Sequence, residues 1–530
     1  MNIESLNESA WDAVISGTGL RESLLAAALA RAGKKVLHVD KNPYYGDEYA
    51  ALSLAELEAW ATNTRSGRLK SVEFRKHETK TGAKLAESRS YTLNFAPGLL
   101  YTTSPLLSLL VDINLHESLE FLKVGGWFVY RAEDNNPDSF MAVPNSREDV
   151  FNDPTLDPRT KRIVVRALKS ILGFENSIMK APPSAETSLQ EYLEGPSLSL
   201  PPQIVAAFTS LTLLHDLPSA ISFERAESDI RKHFGSLGRF GPGFAAVIAR
   251  YGSGSELVQV LCRAAAVTGN AIYVLDNAVT DIQYRIARPP EATGPAATTT
   301  ESDEPGLQLR LQSGDVIWTR HFIATRSNQP SENPSSQDLT AESAAGSYWM
   351  SLYVVSSPLK RLFRTTDPPT AAGAVLYMPA GELVKDDNRN DNSIYIFAHS
   401  NETGECPNGQ SLLYISTKDN GSKDDTFLDI AATSLLERMP NEDGSVGEIL
   451  ASVRYRVGLE PDIPARDQTS DGLHSLREHV PVIKIPDEVL DEVLDLYEAI
   501  IGSRDGFMDK QGLEDQAKSP EDIETQPESE

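Results

Sequence analysis

Residues 13–22 read Ala-Val-Ile-Ser-Gly-Thr-Gly-Leu-Arg-Glu, and their surroundings decide the fold. A strand-like run from Trp11 to Ser16 enters a tight turn at Gly17 and Gly19. A helix-forming run, Leu24 to Ala32, follows and stops at Gly33, a residue suited to a helix end. A second strand-like run, Lys35-Val-Leu-His-Val, ends at Asp40, about where an acid reaches a ribose hydroxyl in dinucleotide-binding turns. Strand, turn, helix, strand and acid together make a βαβ unit of that kind. The third glycine of such a turn lets helix and strand pack closely beside a pyrophosphate. Here Glu22 stands in its place, bulky and negative at a helix N-terminus that otherwise favours a bound anion. The spacing keeps the fold and predicts loss of the cofactor.

A second departure lies three hundred residues on. Strand-like runs occur at Ala271–Leu275, Val279–Ile286, Leu307–Leu311 and Asp315–Trp318, consistent with a three-stranded meander whose last strand ends Phe322-Ile-Ala-Thr-Arg326. Flavoprotein-like domains end this meander in an Ala-Thr-Gly turn beside the cofactor, and Arg326 replaces that glycine. Gly17, Gly19, Glu22, Asp40 and Arg326 therefore mark a degenerate nucleotide site. The expected fold class is α/β (α+β), a flavoprotein-like Rossmann-type sheet domain with a smaller helical domain.

The helical part is predicted over residues 146–216, with helices at Arg159–Leu172, Ser188–Leu193 and Pro202–Leu214 joined by Pro-rich connectors. The sheet domain is then discontinuous, 1–145 and 217–502. Within it, Lys70 to Phe74 reads as strand, Tyr91 to Leu115 as a helix-like apolar run, and Phe121–Tyr130 with Ser139–Val143 as a small sheet. Low-complexity insertions fill 287–306 and 326–346, Glu488 to Ile501 reads as a closing helix, and 503–530 as an acidic, disordered tail.

Composition bounds the function. The chain has 530 residues and a formal net charge of −27, which argues against nucleic acid and disfavours docking to anionic membranes. With Cys262 and Cys406 alone, no disulfide framework is expected. No apolar run reaches the roughly 18–20 residues that span a bilayer, and the acidic N-terminus lacks a signal-peptide pattern. The expectation is a soluble, cytoplasmic protein. No metal-ligand spacing, nucleophile elbow or phosphate loop occurs. Cys262 sits in an apolar run and reads as a buried thiol, and His215-Asp216 as a helix-end pair.

Three stretches carry a resemblance. Ser16-Gly-Thr-Gly-Leu-Arg-Glu, Lys34-Lys-Val-Leu-His-Val-Asp-Lys-Asn-Pro-Tyr-Tyr-Gly46, and Gly238-Arg-Phe-Gly with Arg250-Tyr-Gly-Ser-Gly-Ser-Glu-Leu-Val-Gln and Arg263 are similar to the superfamily of Rab GDP dissociation inhibitors and Rab escort proteins. Leu54–Trp60, Leu99–Tyr101 and Val143–Phe151 resemble the escort branch, in the form of a fungal-type escort subunit. Asp47 and Val258 depart from the usual glycine and proline.

The resemblance implies a non-catalytic accessory protein. It would bind newly made, GDP-bound Rab GTPases and present them to the Rab geranylgeranyltransferase heterodimer. It would then shield the geranylgeranyl lipid until transient membrane delivery. The Rab-binding platform falls on Tyr44, Tyr45, Arg239, Tyr251, Glu256, Gln259 and Arg263. In a helix, Glu256, Gln259 and Arg263 lie within about 60° of one another, beside an apolar face of Leu257, Val260, Leu261 and Ala264. The lipid is expected among the helices of 159–214, and transferase docking at Leu193, Phe208 or Leu211, with Phe208 preferred. No cofactor is expected. A GDP dissociation inhibitor and, more distantly, an FAD-dependent oxidoreductase remain the alternatives.

Overall fold

The computed structural model describes residues 6, 10–63, 69–132, 139–144, 147–152, 156–173, 186–286, 306–330, 346–365, 369–385, 387–419, 421, 425–458, 472–477 and 483–509. The greater part of both expected insertions and the tail from 510 onward lie outside these residues.

Eleven helices occur among the described residues: α1 (Leu20–Arg31), α2 (Leu54–Asn63), α3 (Pro105–Asp112), α4 (Arg147–Asn152), α5 (Pro158–Ile171), α6 (Leu189–Glu194), α7 (Pro202–Ser210), α8 (Phe223–Ser236), α9 (Gly254–Ala266), α10 (Asp425–Arg438) and α11 (Glu488–Ile501). None is long and apolar enough to cross a membrane.

The first sheet is the nucleotide-binding type in outline. Ala10–Ser16 pairs in parallel with Val36–Val39 on one side and Val316–Thr325 on the other, and Ala271–Val274 adds an outer parallel strand beside Val36–Val39. The antiparallel meander expected from the sequence is present as Val279–Ile286, Gly306–Leu311 and Val316–Thr325. Helices α1, α9 and α11 cover one face. α1 lies between the other two, and only its last residue escapes burial. Its alanines at 26–28 and 30 let both neighbours approach. Gly33, at φ +77°, ends it as predicted. The helix begins at Leu20, earlier than the expected Leu24, because Gly19 is extended and serves as its N-cap.

The second sheet has ten strands, running from Leu69–Lys76 at one edge through Ile449–Gly458, Ser347–Val355, Ser411–Asp419, Ile394–Ser400, Gly373–Met378 and Phe121–Tyr130. The strands expected at 121–130 and 139–143 thus join a large sheet. The helix expected over Tyr91–Leu115 is confined to α3. Before it come two short strands, Leu93–Asn94 and Leu100–Tyr101, because Pro97-Gly98 and Pro105 break the helical run. α10 covers one face of this sheet and α7 the other.

The helical layer extends beyond residue 216. α8, which the sequence reading missed although Ser222 caps it and Phe223, Ala226 and Ile230 recur at helical spacing, packs on α5 and α6. Asp157 caps α5 by accepting from the N–H groups of Arg159 (2.8 Å) and Thr160 (3.2 Å). Ser188 and Glu191 cap α6 reciprocally. α7 ends at Ser210, four residues short of the expected Leu214.

Candidate functional site

Gly17 leaves the first strand at φ +101°, a conformation only glycine adopts freely. The cradle that follows is filled from within the chain. A Cβ on Gly19 would stand 2.6 Å from Oε2 of Glu22 and 3.3 Å from Oε2 of Glu48. A Cβ on Gly17 would strike the side-chain amide of Asn328 and lie 3.5 Å from Oε1 of Glu22. Glu22 is 3% exposed, and Asn328 donates to Asp47 at 3.3 Å.

Asp40 is also committed internally. It accepts from the Thr18 N–H (2.8 Å), the Thr18 hydroxyl (2.6 Å) and the Asn42 N–H (2.7 Å). The Thr18 hydroxyl in turn accepts from the Gly46 N–H. Burial, then repulsion from Asp47, pushes the Asp40 carboxyl up to about 6. Burial, then Glu48, raises Glu22 well above the usual carboxylate range. Arg326 is the exception to the sequence reading. It is exposed in the turn after Thr325, and Asn328 is the residue that enters the space. The turn Arg326–Asn328 carries the chain back over the first glycine, so the obstruction comes two residues later than spacing suggested.

The platform residues divide. In α9, Gln259 and Arg263 are exposed and Glu256 half-buried, on the face opposite buried Leu257, Val258 and Leu261. Burial raises the Glu256 carboxyl, and Arg263 partly offsets it. The N-terminal turn of α9 packs so closely on Tyr49 that Gly254 has no room for a side chain. That contact sets the Tyr44-Tyr45 turn beside the helix. Tyr45 is 38% exposed, its ring 5.8 Å from Tyr273. Tyr44 turns inward instead, edge-on to Phe95, bonded to Trp60 and packed against the core beneath the second sheet.

Tyr251 is exposed at φ +69°, seated on Gly404, with the Arg250 guanidinium over its ring. Arg239 is exposed in the turn after α8, and no hydrogen bond or ion pair joins it to the α9 stripe among the described residues. Among the exposed apolar residues that the sequence reading did not single out, two lie near this face: Val267, just past α9, and Ile272 on the outer strand. Edge position exposes Ile272, and no local pattern announces an edge.

Leu193, Phe208 and Leu211 are core residues, 0%, 4% and 2% exposed, which corrects their assignment as docking anchors. α6 and α7 turn these apolar positions toward the second sheet and the other helices. Phe208 and Leu211 line a small apolar cavity of about 30 Å³ with Val164, Leu168, Ala207 and Phe234.

The remaining candidates are structural. Cys262 is buried against Ser23 (3.4 Å), and burial raises its thiol. His215 meets the Ser416 hydroxyl at 2.8 Å and is held down to about 4 by burial, while Asp216 pairs with Lys418. Both join the helical layer to the strand Ser411–Asp419.

The arrangement defines a class: a dinucleotide-binding fold whose cradle is closed by its own side chains and whose neighbouring helix face is exposed. Residues 6–196 match the family model described as GDI, GDP dissociation inhibitor. The chain is 27% identical over 436 residues to "Rab proteins geranylgeranyltransferase component A" of Saccharomyces cerevisiae, covering 82% of this chain and 66% of that one. It is 28% identical to the protein of the same name in Drosophila melanogaster, over 77% of this chain and 74% of the relative. This chain thus spans just under two thirds of the yeast relative's length. In fold it is similar to the Rab GDI of Plasmodium falciparum, with a TM-score of 0.61 at 17% identity, covering 94% and 99% of the two chains. These relatives agree with the superfamily resemblance carried by the sequence motifs.

Proposed function

We propose that this chain is a Rab escort protein. It binds newly made, GDP-bound Rab GTPases, presents them to the Rab geranylgeranyltransferase heterodimer, and shields the lipidated product until delivery to a membrane. It works from the cytoplasm and carries out no chemistry of its own. The printed names of the yeast and fly relatives support the geranylgeranylation role.

One observation carries this reading. Glu22, Glu48 and Asn328 fill the cradle while Tyr45, Gln259 and Arg263 beside it stay exposed. The fold thereby offers a surface rather than a cofactor. The residues present do not fit a pyrophosphate, since Glu22 adds a buried acid where the helix N-terminus would meet the anion. No flavin-dependent step follows from this site.

The apolar cavity between α5, α7 and α8 supports lipid shielding. A prenyl chain gains roughly 0.8 kcal/mol for each CH₂ taken out of water, so a dry groove is what it requires. This space is smaller than a full geranylgeranyl chain fills comfortably, so the helices would part to admit it.

The test is an in vitro prenylation assay with purified transferase, a GDP-loaded Rab and this chain. Lipid transfer that depends on the chain supports the escort reading. Tight binding of already prenylated Rab without support of transfer would identify a GDP dissociation inhibitor instead. A yellow purified protein with stoichiometric flavin would overturn the closed-cradle argument.

A further inference from the structure

Tyr251, three residues ahead of α9, is 53% exposed and is nevertheless held in a strained conformation. Its φ of +69° lies in the left-handed region, which a bulky side chain rarely enters, and Ser253 follows at φ +47°. Such a backbone persists only where its surroundings impose it. Here they do. The Tyr251 N–H donates to the Thr403 carbonyl at 2.8 Å, and the Ser253 hydroxyl to the Gly98 carbonyl at 3.0 Å. The Arg250 guanidinium lies 4.9 Å from the centre of the Tyr251 ring, and its Nη1 donates to both carboxylate oxygens of Glu120, at 3.0 and 2.8 Å. A Cβ on Gly404 would stand 2.6 Å from Cδ1 of Tyr251, and one on Gly252 would meet Cγ2 of Thr92 at 3.5 Å.

One buried acid holds both supports of this turn. Glu405 is 1% exposed, and its carboxylate accepts from the Asn94 amide and from Nδ1 of His399, a fully buried residue in the strand Ile394–Ser400. The Glu405 carbonyl accepts from the Thr92 N–H at 3.0 Å. Residues 92–94, the turn that carries Thr403 and Gly404, and the second sheet therefore meet at Glu405. Burying a carboxylate is costly, and an apolar side chain can often fill such a space without that cost. What the acid adds is a fixed place for Thr92 and Gly404, on which the Tyr251 turn rests.

We infer that Glu405 is a positioning residue for Tyr251, and that Tyr251, so held, is a rigid aromatic anchor for the docked GTPase. The inference rests on the reading that a Rab docks on the α9 face, and it adds what fixes the N-terminal end of that surface. An aromatic side chain ordered before binding loses little freedom on binding, so its rigidity enters affinity directly. Glu405 is too deeply buried to touch a partner, and its effect passes through Thr92, Thr403 and Gly404.

The test is a double-mutant cycle on affinity for a GDP-loaded Rab, read by calorimetric titration of the full chain well below every variant's melting temperature. Tyr251→Ala should weaken binding about thirtyfold. Glu405→Gln leaves one of the two side-chain donors without its acceptor and should weaken binding about tenfold. Added to Tyr251→Ala, it should cost nothing further, because the ring it positions is gone. If Glu405→Gln does not fold, Gly404→Ala carries the test: its methyl enters the space of the ring while Glu405 stays in place, and the same non-additive loss is expected. Equal losses with and without Tyr251 overturn the inference, since an acid with a merely structural role weakens binding in either background. Wild-type affinity in Tyr251→Ala, or in a folded Glu405→Gln, also overturns it. Arg263→Ala and Tyr45→Ala report on the platform itself. A loss in those two beside an unchanged Tyr251→Ala removes the anchor and leaves the docking reading standing.

Discussion

Thr18 donates both its backbone N–H and its hydroxyl to the carboxylate of Asp40, at 2.8 and 2.6 Å. An acid at this position would meet a ribose in a working dinucleotide site. Here it ties the glycine turn to the end of the second strand, and Gly46 joins through the same hydroxyl. The turn that presents Tyr45 is therefore braced by an acid at the position that faces the sugar in a working dinucleotide site. Closing the cradle and building the platform are one arrangement.

That arrangement concentrates negative charge, and stability should respond to pH. Asp40 is raised to about 6 and Glu22 is raised as well, chiefly by burial. A raised carboxyl holds its proton more tightly when folded. Its contribution is fully present below the ordinary carboxylate value and is lost as pH rises through the folded one. For Asp40 the loss falls between about pH 4 and 6 and is on the order of 2–3 kcal/mol. Glu22→Gln removes one of the interacting acids at little steric change. Its stability advantage over wild type, measured by urea unfolding, should grow from pH 4.5 to pH 7.5 (about one scan per half unit suffices). A gain that is the same at both ends would show that charge is not its origin.

Opening the cradle by one residue should not restore a flavin. In Glu22→Gly, the Asn328 amide still covers Gly17, and Glu48 still faces Gly19. The purified variant should therefore show no flavin absorbance after incubation with FAD. Stoichiometric binding would mean that Asn328 yields more readily than its bond to Asp47 suggests.

Phe208 should behave as a core residue. Its side chain is buried on α7 and forms part of the cavity wall, so Phe208→Ala should cost about 3–5 kcal/mol. A companion variant, Ala207→Leu, projects into the same space and should cost roughly 1–3 kcal/mol. If the cavity takes the prenyl chain, Ala207→Leu weakens binding of a lipidated Rab while leaving the unlipidated form unaffected. Equal loss for both forms would place the lipid elsewhere.

Which features could be read from sequence follows from how local their causes are. The βαβ unit rests on glycines and apolar spacing within thirty residues, so its order was legible, though its helix begins at Leu20 rather than Leu24. Glu22 announced the closed cradle by its position alone. Asn328 could not, because its entry depends on a three-residue turn that swings the chain back over Gly17. The stripe of Glu256, Gln259 and Arg263 was legible from helical period. The inward turn of Tyr44 was not, since Phe95, against which it packs, lies some fifty residues along the chain. Leu193, Phe208 and Leu211 looked like anchors because apolar type does not reveal which face a short helix buries.

The platform gives the most direct prediction. Arg263 and Tyr45 are exposed on different elements, α9 and the turn after the second strand, held together by Tyr49 against Gly254. Neither side chain contributes much to the core, so Arg263→Ala and Tyr45→Ala should each leave unfolding within about 0.5 kcal/mol of wild type. If a Rab docks here, arginine and tyrosine are the residue types that most often dominate such interfaces. Loss of either should then cost about 2 kcal/mol, near thirtyfold in affinity. Ile272→Asp, on the exposed outer strand, should weaken binding comparably if the contact extends past Arg263. The measurement is calorimetric titration with a GDP-loaded Rab, beside a melting curve for each variant. Wild-type affinity in both Arg263→Ala and Tyr45→Ala would remove the α9 face from Rab recognition, whereas a loss confined to Ile272→Asp would shift the platform onto the sheet edge.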